Sequence, residues 1–160
     1  MARLNFPSDA VGRTSQITGA IVLAGDTLAL PESSRITVDL RTLQSDESRR
    51  DRYIQDNTLE TRLYPYAEFL PTEVRGLSGS LPAQGEATFQ VIGDMTIHGV
   101  TQRVTLDITA TFSEGEVVGQ ARTSFRFGDF NMAIPRVMAV LSVEDHIRLE
   151  VDFRLTRQKG

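Results

Sequence analysis

The chain has no cysteine and no tryptophan. Without a thiol there is no cysteine nucleophile, no disulfide, and no thiolate metal or iron–sulfur site. Histidine is nearly as scarce: His98 and His146 stand alone, so three histidines cannot gather round one zinc ion within a chain. Long apolar runs are missing too. Ile21-Val22-Leu23-Ala24 is typical of the longest, far below the roughly 18 residues of a membrane-spanning helix, so stable membrane insertion is not expected. The charge balance, 17 basic against 21 acidic residues and a net charge of −4, lacks the basic footprint of a nucleic-acid binder. Lysine is almost absent, Lys159 being its one occurrence beside sixteen arginines. Genome or thermophile composition accounts for that skew most simply; selection for planar anion contacts is the pointed alternative.

Familiar catalytic arrangements are missing as well. There is no Gly-x-Ser-x-Gly elbow and no glycine-rich phosphate loop. Glu144 and Asp145 are adjacent, which on a strand turns them to opposite faces and makes them poor acid–base partners. No cofactor is implied. The start, Met1 to Pro7, has neither the basic end nor the apolar core of a signal peptide. An extracytoplasmic home, periplasmic or secreted, is favoured if a leader was removed, and a cytoplasmic one otherwise.

What the chain does have is a strand-forming vocabulary. Its 160 residues suffice for one domain that buries its own core, and the whole of 1–160 is read as a single unit. Val, Ile and Thr together number 38, with eight Phe besides. Period-two alternation runs from Arg35 to Leu40 (Ile36, Val38 and Leu40 on one face) and from Ala87 to Ile97 (Ala87, Phe89, Val91, Gly93, Met95, Ile97). It recurs from Val104 to Phe112 and, most cleanly, from Val143 to Phe153, where Ile147, Leu149, Val151 and Phe153 share a face. Further strands are expected at 14–24, 67–74 and 117–127. His98-Gly99, Glu114-Gly115 and Gly128-Asp129 punctuate these runs as turns. One stretch departs from the pattern. Residues Glu47 to Leu59 lack Gly and Pro, can be capped by Ser45 or Asp46, and precede Pro65, which predicts a short helix between strands. Strands with one apolar face, joined by tight turns, must close as a barrel or stack as a sandwich.

Three ordered blocks add a resemblance. The first runs from Thr42-Leu43-Gln44-Ser45-Asp46-Glu47-Ser48-Arg49-Arg50-Asp51 through Asn57-Thr58-Leu59 to Tyr64-Pro65-Tyr66-Ala67-Glu68-Phe69. The second is Gly93-Asp94-Met95-Thr96-Ile97-His98-Gly99-Val100-Thr101, followed by Val104-Thr105-Leu106. The third is Phe125-Arg126-Phe127 with Asp129-Phe130, then Val143-Glu144-Asp145 and Ile147. Over roughly residues 10–156 the sequence resembles the YceI-like family. That resemblance implies an all-β fold, an extended antiparallel lipocalin-like barrel of about eight strands with one short helix. It implies an apolar lumen for polyisoprenoids or related amphiphiles, and it attaches no catalytic residues. Two departures stand out. Only about six residues precede Pro7, so either the first strand is missing, leaving an open edge, or the start is trimmed. The chain also lacks Trp, and Asp46 or Glu47 replaces the common Asn before the helix.

The expected function is non-catalytic binding, transport or storage of a long-chain isoprenoid or other amphiphilic lipid, an apolar, fatty-acid-like small-molecule partner. The expected lumen residues are Ile36, Val38, Leu40, Phe69, Phe89, Val91, Leu106, Ile108, Phe125, Phe127, Leu149, Val151 and Phe153, the alternative being that these alternating faces simply fill a solid core. Phe130, Met132 and Met138, around Pro135, are read either as a soft mouth or as ordinary loop packing. Arg49, Arg50 and Arg52 could meet a headgroup, although Asp51 and Asp56 interleave and an ion pair joining helix to barrel is the stronger reading. His98 and His146 read as turn or surface residues. Two alternatives remain: an interaction module or homodimer pairing through an exposed edge strand, and an enzyme acting on a lipid-like substrate, which would need polar groups converging inside the barrel.

Overall fold

The computed structural model describes residues 2–5, 11–21, 34–45, 48–77, 82, 84–132 and 146–156. They form nine strands: β1 (Ala2–Asn5), β2 (Val11–Thr14), β3 (Ile17–Ala20), β4 (Arg35–Asp39), β5 (Tyr66–Arg75), β6 (Gly85–Ile97), β7 (Val100–Ser113), β8 (Glu116–Arg126) and β9 (His146–Thr156). All pair antiparallel in one sheet, in the order β2-β1-β9-β8-β7-β6-β5-β4-β3. The two outermost strands, β2 and β3, are consecutive in the chain and separated only by Ser15 and Gln16. One run of backbone therefore serves both ends of the sheet, which curls round to meet itself. The amides and carbonyls of Arg13 and Gln44 exchange hydrogen bonds of 2.8 and 2.9 Å at this seam, and Asp39 N donates to Gln16 O at 3.0 Å. Counting β2 and β3 as halves of one bent strand leaves the eight that the resemblance implies.

The expectation of a missing first strand is corrected. Ala2–Asn5 forms a strand and is paired on both sides, with β2 and with β9. Four residues suffice because a strand flanked by two ladders draws its stability from its neighbours, not from its own length.

The long hairpins follow the predicted turns. β6 and β7 turn at His98-Gly99, and β7 and β8 at Glu114-Gly115. Ile108 on β7 faces Phe89 on one side and Ala121 on the other, so the inward faces line up across strands. A register shift between Pro71 and Glu73 on β5 bends the sheet, and the Thr72 hydroxyl donates to Ile92 O across the bulge at 3.1 Å. Gly93 and Gly119 let strands approach closely where the sheet coils. A Cβ on Gly93 would lie 2.4 Å from the Leu70 carbonyl oxygen, and one on Gly119 would lie 2.4 Å from that of Thr109.

The predicted helix is present but short: α1 (Ser48–Tyr53) widens into one π turn over Ile54–Thr58. The Asp51 carboxylate accepts from the amide and hydroxyl of Ser45. Gln55 Nε2 donates to the carbonyls of Arg41 and Leu43, each at 3.2 Å, tying this segment to a 3-10 turn at Leu40–Thr42. Ile54, Thr58 and Leu59 are buried beneath it. Of the predicted strands, 14–24 is described only as far as Ile21, and residues 143–145, Met138 and the side chain of His146 lie outside the described residues.

Candidate functional site

The inward face is apolar and runs through every long strand. It carries Ile36 and Val38 on β4, Ala67, Phe69 and Val74 on β5, and Ala87 to Ile97 on β6. It continues with Val104 to Phe112 on β7, Val117 to Phe125 on β8, and Ile147 to Phe153 on β9. No titratable side chain takes an inward position on β4 through β9 among the described residues. Strand alternation produced this segregation, and the ladders brought the faces together.

Burial is uneven along the interior, and Val91, Leu106, Ile108, Ala110 and Phe112 are buried up to the end opposite the helix. One end is a solid floor. Phe127 and Phe130 are 0% exposed, and Leu40, Leu43, Ile54, Leu59, Met95, Ile97, Phe125, Met132 and Ile147 are buried around them. Phe125 and Phe130 meet edge to face with ring centroids 4.9 Å apart. Other inward residues are only partly buried and pack against this core: Ile36 and Val38 on β4, Phe89 on β6, and Leu149, Val151 and Phe153 on β9. Of the expected lumen residues, Leu40, Phe69, Val91, Leu106, Ile108, Phe125 and Phe127 are buried, and the remaining six are partly buried. The soft-mouth reading is corrected for Phe130 and Met132. Both are buried in the floor, because the 3-10 turn at Phe127–Phe130 folds back under the barrel. That turn is fastened by Arg126 N donating to Asp129 Oδ2 and by Met132 N donating to Phe127 O, each at 2.9 Å.

His98 has a role beyond that of a turn residue. Its side chain is only 10% exposed. Nδ1–H donates to Phe130 O at 3.1 Å, Nε2 lies 3.5 Å from a Glu60 carboxylate oxygen, and the ring packs edge-on against Tyr64 with centroids 4.7 Å apart. The imidazole thus joins the β6–β7 turn, the end of the helical segment and the floor. Sequence gave no sign of this, since its partners lie 32 and 38 residues away along the chain. Arg49 and Arg52 stand exposed on α1, at the floor end. Nearby, Asp39 is gripped by Arg41 through Nε and Nη2 bonds of 2.9 Å. These bonds hold the Asp39 carboxyl below its ordinary pKa, against a smaller opposing effect of burial. The same guanidinium lies 5.3 Å over the Tyr66 ring.

The sheet is also breached on one side. β7 stays paired with β6 down to Val100, and β8 stays paired with β9 down to Arg126. Yet the β7–β8 ladder ends at Asp107 and Arg122. Among the described residues no backbone pairing joins 100–106 to 123–126, and a cleft of about 450 Å³ opens there. Its walls are Gln102, Arg103, Val104, Thr105, Thr123, Ser124 and Asp129, over Phe125 and Phe130.

Among the described residues, no three of His, Asp and Glu gather at metal-binding range, and no helix is long and apolar enough to cross a membrane. An antiparallel sheet curled on itself, with an apolar interior, a helical floor and no titratable group at the described inward strand positions, defines the lipocalin-like class of β-barrel. Within it, the family profile of the YceI-like domain matches residues 2–155, and the chain belongs to that family. A UPF0312 protein of Pseudomonas putida is 38% identical over 118 residues, covering 67% of this chain and 57% of that relative. The chain spans less than two thirds of the length of the curated relatives it matches. Among solved structures, BcnA of Burkholderia cenocepacia superposes with a TM-score of 0.75 at 13% identity, covering 97% of this chain and 96% of that one. A domain from Saccharophagus degradans, described as polyisoprenoid binding and implicated in plant cell wall breakdown, gives 0.74 at 14%, covering 98% and 92%. At these identities the likeness is one of fold.

Proposed function

We propose that this chain binds a long-chain isoprenoid or other amphiphilic lipid in its barrel and carries or stores it without chemical change. The observation that supports this reading most directly is the set of inward-facing apolar residues left only partly buried, Ile36, Val38, Phe89, Leu149, Val151 and Phe153. Apolar surface kept in contact with water inside a fold is destabilising unless something covers it. Each CH₂ taken from water contributes roughly 0.8 kcal/mol, so a 20-carbon tail gains on the order of 16 kcal/mol gross. Lost freedom of the ligand offsets several to over ten kcal/mol of that, which still leaves room for binding at about micromolar or tighter.

The description of the Saccharophagus degradans domain as polyisoprenoid binding is in keeping with this ligand class. An enzymatic reading would need inward titratable groups to converge, and among the described strand residues none takes an inward position. Pairing through an open amino-terminal edge loses its basis, because β1 is flanked on both sides. Arg49, Arg50 and Arg52, the expected headgroup contacts, belong to α1, whose following turn buries Ile54 in the floor. Organic extraction of the protein purified from its native host, followed by mass spectrometry, tests the proposal. A stoichiometric prenyl or acyl lipid supports it. An extract without lipid, from a protein that also fails to bind farnesol, overturns it.

A further inference from the structure

The cleft between β7 and β8 is not a dimple on one face of the sheet. Side chains alternate along a strand, so a pocket on one face is lined by residues of one parity. This cleft is lined by both. Gln102 and Val104 on β7 and Thr123 and Phe125 on β8 belong to the inward set, whereas Arg103 and Thr105 on β7 and Ser124 on β8 belong to the outward set. A cleft walled by both sets lies in the parting between the two strands, over the buried Phe125 and Phe130. Its inner lip is next to the partly buried wall, since Thr123 is the ladder partner of Leu149.

The chemistry of the walls is specific. Arg103 faces Glu73, with Nη2 3.8 Å from a carboxylate oxygen, and the Asp129 carboxylate accepts the Arg126 amide at 2.9 Å. The two charged residues are opposite in sign and both engaged. Gln102 Nε2 spans the cleft to Asp129 O at 2.8 Å. The hydroxyls of Thr105, Thr123 and Ser124 make no hydrogen bond to any described residue. A volume of about 450 Å³ lies within the usual range of small-molecule sites, roughly 300–1,000 Å³.

We infer that this breach is a side port that holds the uncharged, oxygen-bearing head of the bound amphiphile, an alcohol or carbonyl, while the tail lies along the β9 wall. This rests on the lipid-binding reading above. Hydroxyls donate to and accept from such a head, and the balanced charge of Arg103 and Asp129 offers a diphosphate no net attraction.

The test is equilibrium binding of farnesol and of farnesyl diphosphate to the whole chain, to Ser124→Trp, which fills the port, and to Thr123→Val with Thr105→Val, which keeps its shape but removes two hydroxyls. The inference predicts that farnesol binds the unaltered chain at least tenfold more tightly than the diphosphate. It predicts a tenfold or greater loss of farnesol affinity in the Trp variant and a three- to tenfold loss in the double Val variant, with unfolding midpoints of the Val variant unchanged. The double Val variant decides the matter if the Trp variant does not fold. Undiminished farnesol binding in the variants, or a preference for the diphosphate, overturns the port and leaves lipid binding intact. Failure of the unaltered chain to bind either compound overturns both.

Discussion

Phe127 and Phe153 are the same kind of residue on the same inward face, and they end in different surroundings. Phe127 is fully enclosed in the floor, where α1, the π turn, the 3-10 turn at Phe127–Phe130 and the β6–β7 turn converge. Phe153 is only partly buried on β9, beyond the stretch at 148–151 that β1 covers. Alternation makes both apolar faces. Whether such a face is sealed depends on what lies against it: the helical segment seals the floor, and Ile108, Ala110 and Phe112 are buried beyond its reach.

The largest expected effect comes from breaking the floor. Phe127→Ala should lower stability by about 3–5 kcal/mol in urea unfolding, since a fully buried phenyl leaves a cavity its neighbours cannot fill. A loss below 1 kcal/mol would show that the floor is not packed. Next comes the wall that joins the two regions. Gly119→Ala drives a methyl group against Thr109 O and should cost about 1–3 kcal/mol through displaced strands; an unchanged unfolding midpoint would show that the close approach of β7 and β8 is not needed. Phe153→Ala reverses the pattern. Its stability should change by only about 1 kcal/mol, half of a full phenyl burial, while farnesol binding falls several-fold. Equal losses in Phe153→Ala and Phe127→Ala would erase the distinction between core and lumen.

The smallest effect belongs to the surface. Asp39 has its pKa lowered by Arg41, so its contribution is complete above the ordinary aspartate pKa of about 3.9 and disappears as pH falls through the lower folded value. Asp39→Asn should therefore be slightly less stable than the parent at pH 7 and converge with it in acid; an exposed pair is screened by solvent, which keeps the gap small. A gap that widens in acid would reverse the assigned sign.

Alternation located β6, β7 and the buried half of β9 to within a few residues, and the turns at His98 and Glu114 with them, because these features are local. β1 was not legible: four residues, Ala2–Asn5, carry too short a pattern to read, and the strand is stabilised by ladders to residues far along the chain. The fastening of His98 to Phe130 and Glu60 was hidden for the same reason. Phe130 and Met132 could be read at a mouth because they follow the last residues of β8; only the backward fold of the 3-10 turn puts them in the floor. At the breach between β7 and β8 the inward apolar set is interrupted by Gln102 and Thr123, two polar residues too few to read as a gap in a sheet.

By itself, then, the order of residues determined which faces are apolar, where the chain turns, that thiol and multi-histidine chemistry are excluded, and which family the blocks resemble. The three-dimensional arrangement decided which apolar residues are sealed and which are only partly buried, that one bent run of chain joins both ends of the sheet, and where the wall parts. The reason is physical. Side-chain alternation is a property of one strand, whereas coverage and ladder continuity are properties of neighbours that the chain brings together only on folding.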